Sequence, residues 1–202
     1  MLLLDINGIV SALLVGVVVY IFGGAEELFL LIAFLAFSIL VTRYNYYDKK
    51  EMGMYEYERG WKNVLSNGFF PAVFAVFSPL LGPYPFIASV AAITADKFSS
   101  ELGIFGGNPY DVLTLKKVKP GNSGAVSALG FLASFAGASL LSLTAMVLFS
   151  ISPTVALKLA FFGFVGCFAD SVAGAFEQRG FGTKETSNLA GALVGGLLGV
   201  LI

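Results

Sequence analysis

The sequence predicts an all-α protein, a polytopic transmembrane helical bundle of about seven spans. Three observations predict it. Of the 202 residues, 57% are hydrophobic and only 12% are charged, about half the charged share of a soluble domain. Apolar runs long enough to cross a bilayer as helices, about 20 residues each, recur along the whole chain. The charges that remain gather between alternate runs.

The first run, 5–22, follows MLLLD and has no Lys or Arg ahead of Arg43, so it reads as a retained helix rather than a cleaved signal. The second is 27–42. Neither holds a polar residue that demands explanation, so both read as scaffold, and Glu26 and Glu27 in the link between them read as solvated. The third and fourth runs, 64–81 and 85–102, are punctuated by Pro79, Pro83 and Pro85. The fifth is 124–148; Ser152-Pro153 marks the link to the sixth, 154–176. The last, 188–202, is short and Gly-rich, so six spans plus a re-entrant end is the alternative. No internal repeat is evident. The chain reads as one transmembrane domain over 1–202, with 1–42 as scaffold and 55–202 bearing the motifs.

Ten of the 12 basic residues fall in the links 43–63, 103–123 and 178–187, which share one face if there are seven spans. The opposite links hold none. By the positive-inside rule the basic face is cytoplasmic, and so is the amino terminus. The cytoplasmic halves of the fourth and sixth spans then contain Asp96 to Glu101 and Asp170 to Glu177, so intramembrane charge and loop charge converge on one side.

A net charge of −1 gives no reason to expect nucleic acid. The absence of histidine excludes His bases, His metal ligands and His triads, and the lone Cys167 excludes a disulfide framework or a Cys-based metal site.

In the fourth span Asp96 and Ser100 are four apart and share a helix face; Lys97 and Glu101 have the same spacing and suit an ion pair. A charge near the bilayer centre costs about 2.5–3.5 kcal/mol, and intramembrane acids usually line a pathway or cavity. Two such acids suit a hard cation such as Mg²⁺. In the sixth span Asp170, Gly174 and Glu177 form one stripe, with glycines that allow close helix approach. The segment Lys116–Gly130 runs from three lysines through Lys119-Pro120-Gly121 to Asn122, Ser123, Gly124 and Ser127, where a helix begins. Glycine-exposed amides, a helix amino terminus and lysine charge make a phosphate cradle there, though not a Walker loop. Asn63 and Asn67, four apart, head into the membrane and call for a polar cavity. The bland counterparts are a buried ion pair, tight packing around a lone acid, and an ordinary capped helix after a basic loop.

These residues also carry a resemblance. RGWKNVLSNG (Arg59–Gly68), ADKFSSELG (Ala95–Gly103), VKPGNSGAVSALG (Val118–Gly130), FADSVAGAFEQ (Phe168–Gln178) and SNLAGALVG (Ser187–Gly195) resemble, in this order, the family of small integral membrane proteins that includes plant phytyl-phosphate kinase. The chain is more distantly similar to phytol and dolichol kinases and phosphatidate cytidylyltransferases. The resemblance runs from about residue 59 onward; Lys97 stands where the family usually has an aromatic or small residue.

The resemblance implies a Mg²⁺-dependent transfer of phosphate from a nucleoside triphosphate, CTP first, to a prenyl phosphate. Asp96 and Asp170, with Glu101, are then expected to hold metal, and Lys97 to stabilise the transferring group. Lys119, Pro120, Gly121, Asn122, Ser123, Gly124 and Ser127 are expected to bind nucleotide phosphates. Arg59, Asn63, Asn67, Ser100, Glu177 and Asn188 are expected to orient substrate. The expected setting is the cell membrane with the active site facing the cytoplasm; a homodimer is an admissible assembly. The alternatives are a CTP-dependent cytidylyltransferase, a prenol kinase, and an ion-coupled transporter or lipid flippase.

Overall fold

The computed structural model describes residues 4–54 and 60–202, and these are helical almost throughout. Its helices are α1 (Ile6–Arg43), α2 (Tyr46–Glu51), α3 (Trp61–Leu81), α4 (Tyr84–Leu102), α5 (Ala128–Leu148), α6 (Pro153–Glu177) and α7 (Lys184–Gly199). Between α4 and α5, two short strands, β1 (Tyr110–Asp111) and β2 (Ala125–Val126), pair antiparallel with Tyr110 opposite Val126.

Drawn straight, the 38 residues of α1 would reach about 57 Å, nearly twice the hydrocarbon thickness of a bilayer. The helix breaks at Gly24, whose φ of 83° only glycine adopts without strain. A Cβ built on Gly16 would lie 3.6 Å from the Leu28 side chain, whereas a straight helix would separate those positions by about 18 Å. The segments 6–23 and 25–43 therefore form a hairpin. Its feet share one face: Asp5 abuts Gly60 at the start of α3, and the Thr42 hydroxyl donates to Glu101 Oε1 (3.0 Å) at the end of α4. Glu27, just past the break, meets Ser78 near the end of α3, on the far face.

α4 occupies the centre, touching α1, α3, α5, α6 and α7, with every residue from Pro85 to Ala95 buried. Small residues permit this crowding, as membrane helices require when no hydrophobic force separates protein from lipid. α7 runs antiparallel to α4: a Cβ on Gly195 would meet the Ala88 carbonyl at 2.8 Å and one on Gly199 the Tyr84 carbonyl at 2.6 Å. Ser89 Oγ donates to the Ala192 carbonyl at 2.8 Å between them. α7 thus reaches the far end of α4 and runs the length of that helix. α6 runs parallel to α4, with Gly163 against Ala91 and Gly166 against Ala92.

Four of the described helices, α1, α3, α5 and α6, are apolar and long enough to cross a membrane. α4 falls short through its three charges and α7 through its 16 residues; α4 lies at the centre, where protein replaces lipid, and α7 packs against α3, α4 and α6. Two helix starts lie four residues from those of the expected spans. α5 starts at Ala128, not 124, because Ser127 caps it by accepting from Gly130 N. α7 starts at Lys184, not 188, where Thr183 N donates to Thr186 Oγ1 (2.9 Å), which places Asn188 inside a helix.

The hairpin is more than scaffold. Glu27 is not solvated: it is 1% exposed, its Oε1 accepts from Ser78 Oγ, and its Oε2 is buried without a partner. Sequence alone placed it in a link because the reversal lies at Gly24, which puts Glu27 one turn inside the second arm.

Candidate active site

At the face where α4 and α6 end and α3, α5 and α7 begin, the helices leave a cavity of about 470 Å³, within the usual range for small-molecule sites. Asn63 and Asn67 of α3, Asp96, Lys97, Ser100 and Glu101 of α4, and Asp170 and Glu177 of α6 line it. So do Asn188 of α7, the turn Pro120–Gly124 and Ser127. The structure thus brings most of the sequence-predicted residues together. Arg59 lies outside the described residues.

The two aspartates come from parallel helices that end side by side, and both line the cavity. Asp170 Oδ2 is buried and accepts no hydrogen bond, an unusual state for a buried oxygen. Room for the pair depends on α7: a Cβ on Gly191 would come within 2.9 Å of Asp170 Cβ. Lys184, at the start of α7, places a cation near Asp170.

The glycine turn is fixed against α6. Gly121 and Gly124 have φ of 84° and 74°, and a Cβ on Gly124 would collide with Ala175 at 2.5 Å. Ser123 Oγ donates to Glu177 Oε1 (3.1 Å), and Ser187 Oγ donates to Glu177 Oε2 (3.3 Å). Glu177 therefore ties the turn to α7. Behind the turn, Arg179 grips Asp111 with two nitrogens (3.0 and 3.2 Å). The guanidinium, with the Thr114 amide, holds the Asp111 carboxyl well below the usual carboxylate range. On the opposite wall Asn67 Nδ2 donates to the Asn63 carbonyl (2.8 Å), and Asn188 Nδ2 donates to Ser66 Oγ (3.2 Å).

Three expectations change. Lys119 is exposed and outside the lining; the left-handed Gly121 turns the following backbone inward and leaves the lysine behind on the surface. Ser127 is at the wall, but its hydroxyl is spent on capping Gly130 N and donating to the Gly103 carbonyl (3.1 Å). Glu101 is an ion-pair centre and not an open metal ligand: Lys49 Nζ binds its Oε2 at 2.7 Å, while Lys97 Nζ and Thr42 bind its Oε1. The i, i+4 pairing expected for Lys97 and Glu101 is present, and it fixes the lysine at the cavity wall.

Lys49 is the residue that sequence reasoning missed most clearly. It is fully buried, and it also donates to the Val41 and Thr42 carbonyls at 2.9 and 3.2 Å. In sequence it is one of several loop lysines; the only hint was the short YYDKKE helix directly after α1. Ser171 and Ser187 also line the cavity, and Phe34 brings α1 into it.

The family model described as "Integral membrane protein DUF92" matches residues 1–199, which include every wall of this cavity. The chain belongs to this family. An uncharacterized membrane protein of Methanocaldococcus jannaschii is 38% identical to this chain over 207 residues, covering 98% of this chain and 85% of that protein. Protein PGR of Arabidopsis thaliana is 30% identical over 209 residues, covering 87% of this chain and 72% of the plant protein. No solved structure matches.

The donor set of this DUF92 protein fits a magnesium ion better than a fully caged metal. No cluster of three or more metal-ligating side chains exists among the described residues. Mg²⁺ ordinarily takes one or two carboxylates and fills its octahedron with water and phosphate oxygens. Asp96 and Asp170, with one oxygen lacking a hydrogen-bond donor, supply that number.

Proposed function

We propose that this DUF92 protein is a membrane-integral kinase that transfers the terminal phosphate of a nucleoside triphosphate, CTP in the first instance, to a prenyl phosphate. The observation that carries the reading is the meeting of Asp96 and Asp170, from separate helices, beside the glycine turn. In the proposed step an oxygen of the lipid phosphate attacks the terminal phosphorus. The bond from that phosphorus to the nucleoside diphosphate breaks, and prenyl diphosphate and nucleoside diphosphate leave. The nucleophile is already anionic, so no general base is required, which suits a site without histidine. Such transfer relies mainly on positioning and electrostatics.

Asp96 and Asp170 would hold Mg²⁺, which when bound neutralises charge developing on phosphate oxygens. The amides of Gly121, Ser123 and Gly124 would cradle phosphates. Lys97, held by Glu101, would face the transferring group, and Asn63, Asn67 and Asn188 would orient phosphate or base. The basic links 44–54, 103–127 and 178–183 lie on the cavity's face, which supports a site open to the cytoplasm, with the cell membrane as its setting.

The test is product analysis of purified protein supplied with prenyl phosphate, Mg²⁺ and each nucleoside triphosphate in turn. Nucleoside diphosphate and prenyl diphosphate are expected, with a loss of about 100-fold or more in Asp170→Asn. Release of pyrophosphate would replace the kinase by a cytidylyltransferase; substrate uptake by liposomes without nucleotide would replace it by a transporter. Undiminished turnover in Asp96→Asn or Asp170→Asn removes the acids from the mechanism.

A further inference from the structure

Among the described residues, the cavity lining sets the acids Asp96, Glu101, Asp170 and Glu177 against the cations Lys97 and Lys184. Lys97 directly follows Asp96 and belongs to the same wall. A lysine is a compact charge on a flexible stem, and attraction between opposite charges strengthens as water is excluded. Unrestrained, its ammonium would settle on the Asp96–Asp170 pair and take the oxygens that a metal needs. The structure shows a different arrangement. Lys97 Nζ is bound to Glu101 Oε1, one turn along the same helix. Asp170 Oδ2 stays buried without a donor, although two lysines line the same cavity.

Glu101 is itself held from outside the cavity. Lys49 Nζ meets its Oε2 at 2.7 Å, and the Thr42 hydroxyl donates to Oε1 at 3.0 Å. An ammonium has three donors. The other two of Lys49 go to the Val41 and Thr42 carbonyls at 2.9 and 3.2 Å, so all three are used. Lys49 is fully buried and absent from the cavity lining. With Glu101 it balances one charge against one, a complete ion pair for joining α2 to α4. Lys97 is a second cation on the same carboxylate, and taking a further charge out of water is costly. Packing of the helices does not call for it. Its capture does remove a positive charge from the acid pair.

Resting on the proposed reading, we infer that Glu101 is a positioning residue that holds Lys97 off Asp96 and Asp170 and so leaves their oxygens to a divalent cation. Lys49 and Thr42 fix Glu101 in that place. The carboxylate thus serves the metal site without being a ligand in it.

The experiment measures the Kd of Mg²⁺ alone, at constant ionic strength and without nucleotide. It is read from the rise in Tm of detergent-purified protein, each variant against its own metal-free Tm. In Glu101→Gln the released lysine competes for the acids. A lysine on them nine-tenths of the time leaves about a tenth of the molecules competent, so the apparent Kd is expected to rise about tenfold. Glu101→Gln/Lys97→Met is expected to return Kd to the wild-type value or below. That double variant still leaves Lys49 without its carboxylate, so a defect caused by a damaged fold alone would persist in it. Should Glu101→Gln fail to fold, Glu101→Asp keeps the anion but shortens its reach; a smaller rise in Kd is expected, again removed by Lys97→Met. An unchanged Kd in the Glu101 variants, a rise that Lys97→Met does not remove, or a wild-type Tm unmoved by Mg²⁺ overturns the inference. The expected pattern in a protein that transfers no phosphate overturns the kinase reading alone. Phosphate transfer with no change of Kd in Glu101→Gln overturns the positioning role alone.

Discussion

Replacing Glu101 with glutamine tests the buried charge cluster most directly. Glutamine keeps the shape of the side chain and one acceptor oxygen but removes the anion that two lysines share. Lys49 Nζ has no contact with water, and its counter-ion is 11% exposed, so little screening softens the loss. Breaking a buried ion pair by removing one partner costs about 3–5 kcal/mol. Because Lys97 loses the same partner, the upper part of that range applies. At about 2–4 °C per kcal/mol for a chain of this size, Tm should fall by about 8–20 °C. Lys49→Met should cost less, since Glu101 keeps Lys97 and Thr42. The assay is thermal unfolding of detergent-purified protein followed by tryptophan fluorescence. A fall under about 2 °C in Glu101→Gln, or a larger fall in Lys49→Met, refutes the reasoning.

Three further outcomes follow from the geometry. Gly124→Ala adds a methyl 2.5 Å from Ala175 at a φ of 74°, and should destabilise the protein by about 1–3 kcal/mol, read as Tm. Gly191→Ala pushes on Asp170 Cβ and should weaken the Tm rise given by Mg²⁺ with nucleotide more than it lowers the Tm of the ligand-free protein. Asp111 titrates far below its unfolded value of about 3.9, so its bridge to Arg179 is complete above that pH and fades only as pH falls through the lowered folded value. Limited proteolysis of segment 103–127 should therefore be faster in Asp111→Asn than in wild type at pH 7, with the gap narrowing only below about pH 4. A gap that closes between pH 5 and 7 assigns the effect to another group.

Much of the cavity was legible before any coordinates. Asp96, Asp170, Asn63 and Asn67 are polar residues in apolar helices, and the cost of leaving them in lipid already demands a shared polar space. Gly121 and Gly124 announced a turn with exposed amides, though not its packing against Ala175. The partners across long separations were not legible. Glu27 and Lys49 look like link charges because hydropathy records how apolar a stretch is, not which element folds over it. The pairing of Asp111 with Arg179 joins residues 68 apart in sequence and has no local signature. Lys119 and Ser127 have the right chemistry, but a left-handed glycine and a helix cap redirected them.

The central place of α4 also bears on how the chain is made. This helix brings three charges into the bilayer and is synthesised ahead of α5, α6 and α7, the helices that cover much of its surface. On emerging it would face lipid with Asp96, Lys97 and Glu101 at a cost of several kcal/mol, offset only in part by the pairing of Glu101 with Lys97 and with Lys49 and Thr42, which precede it in the chain. The nascent segment must therefore wait at the insertion machinery, or rest against α1 and α3, until the last three helices arrive to enclose it.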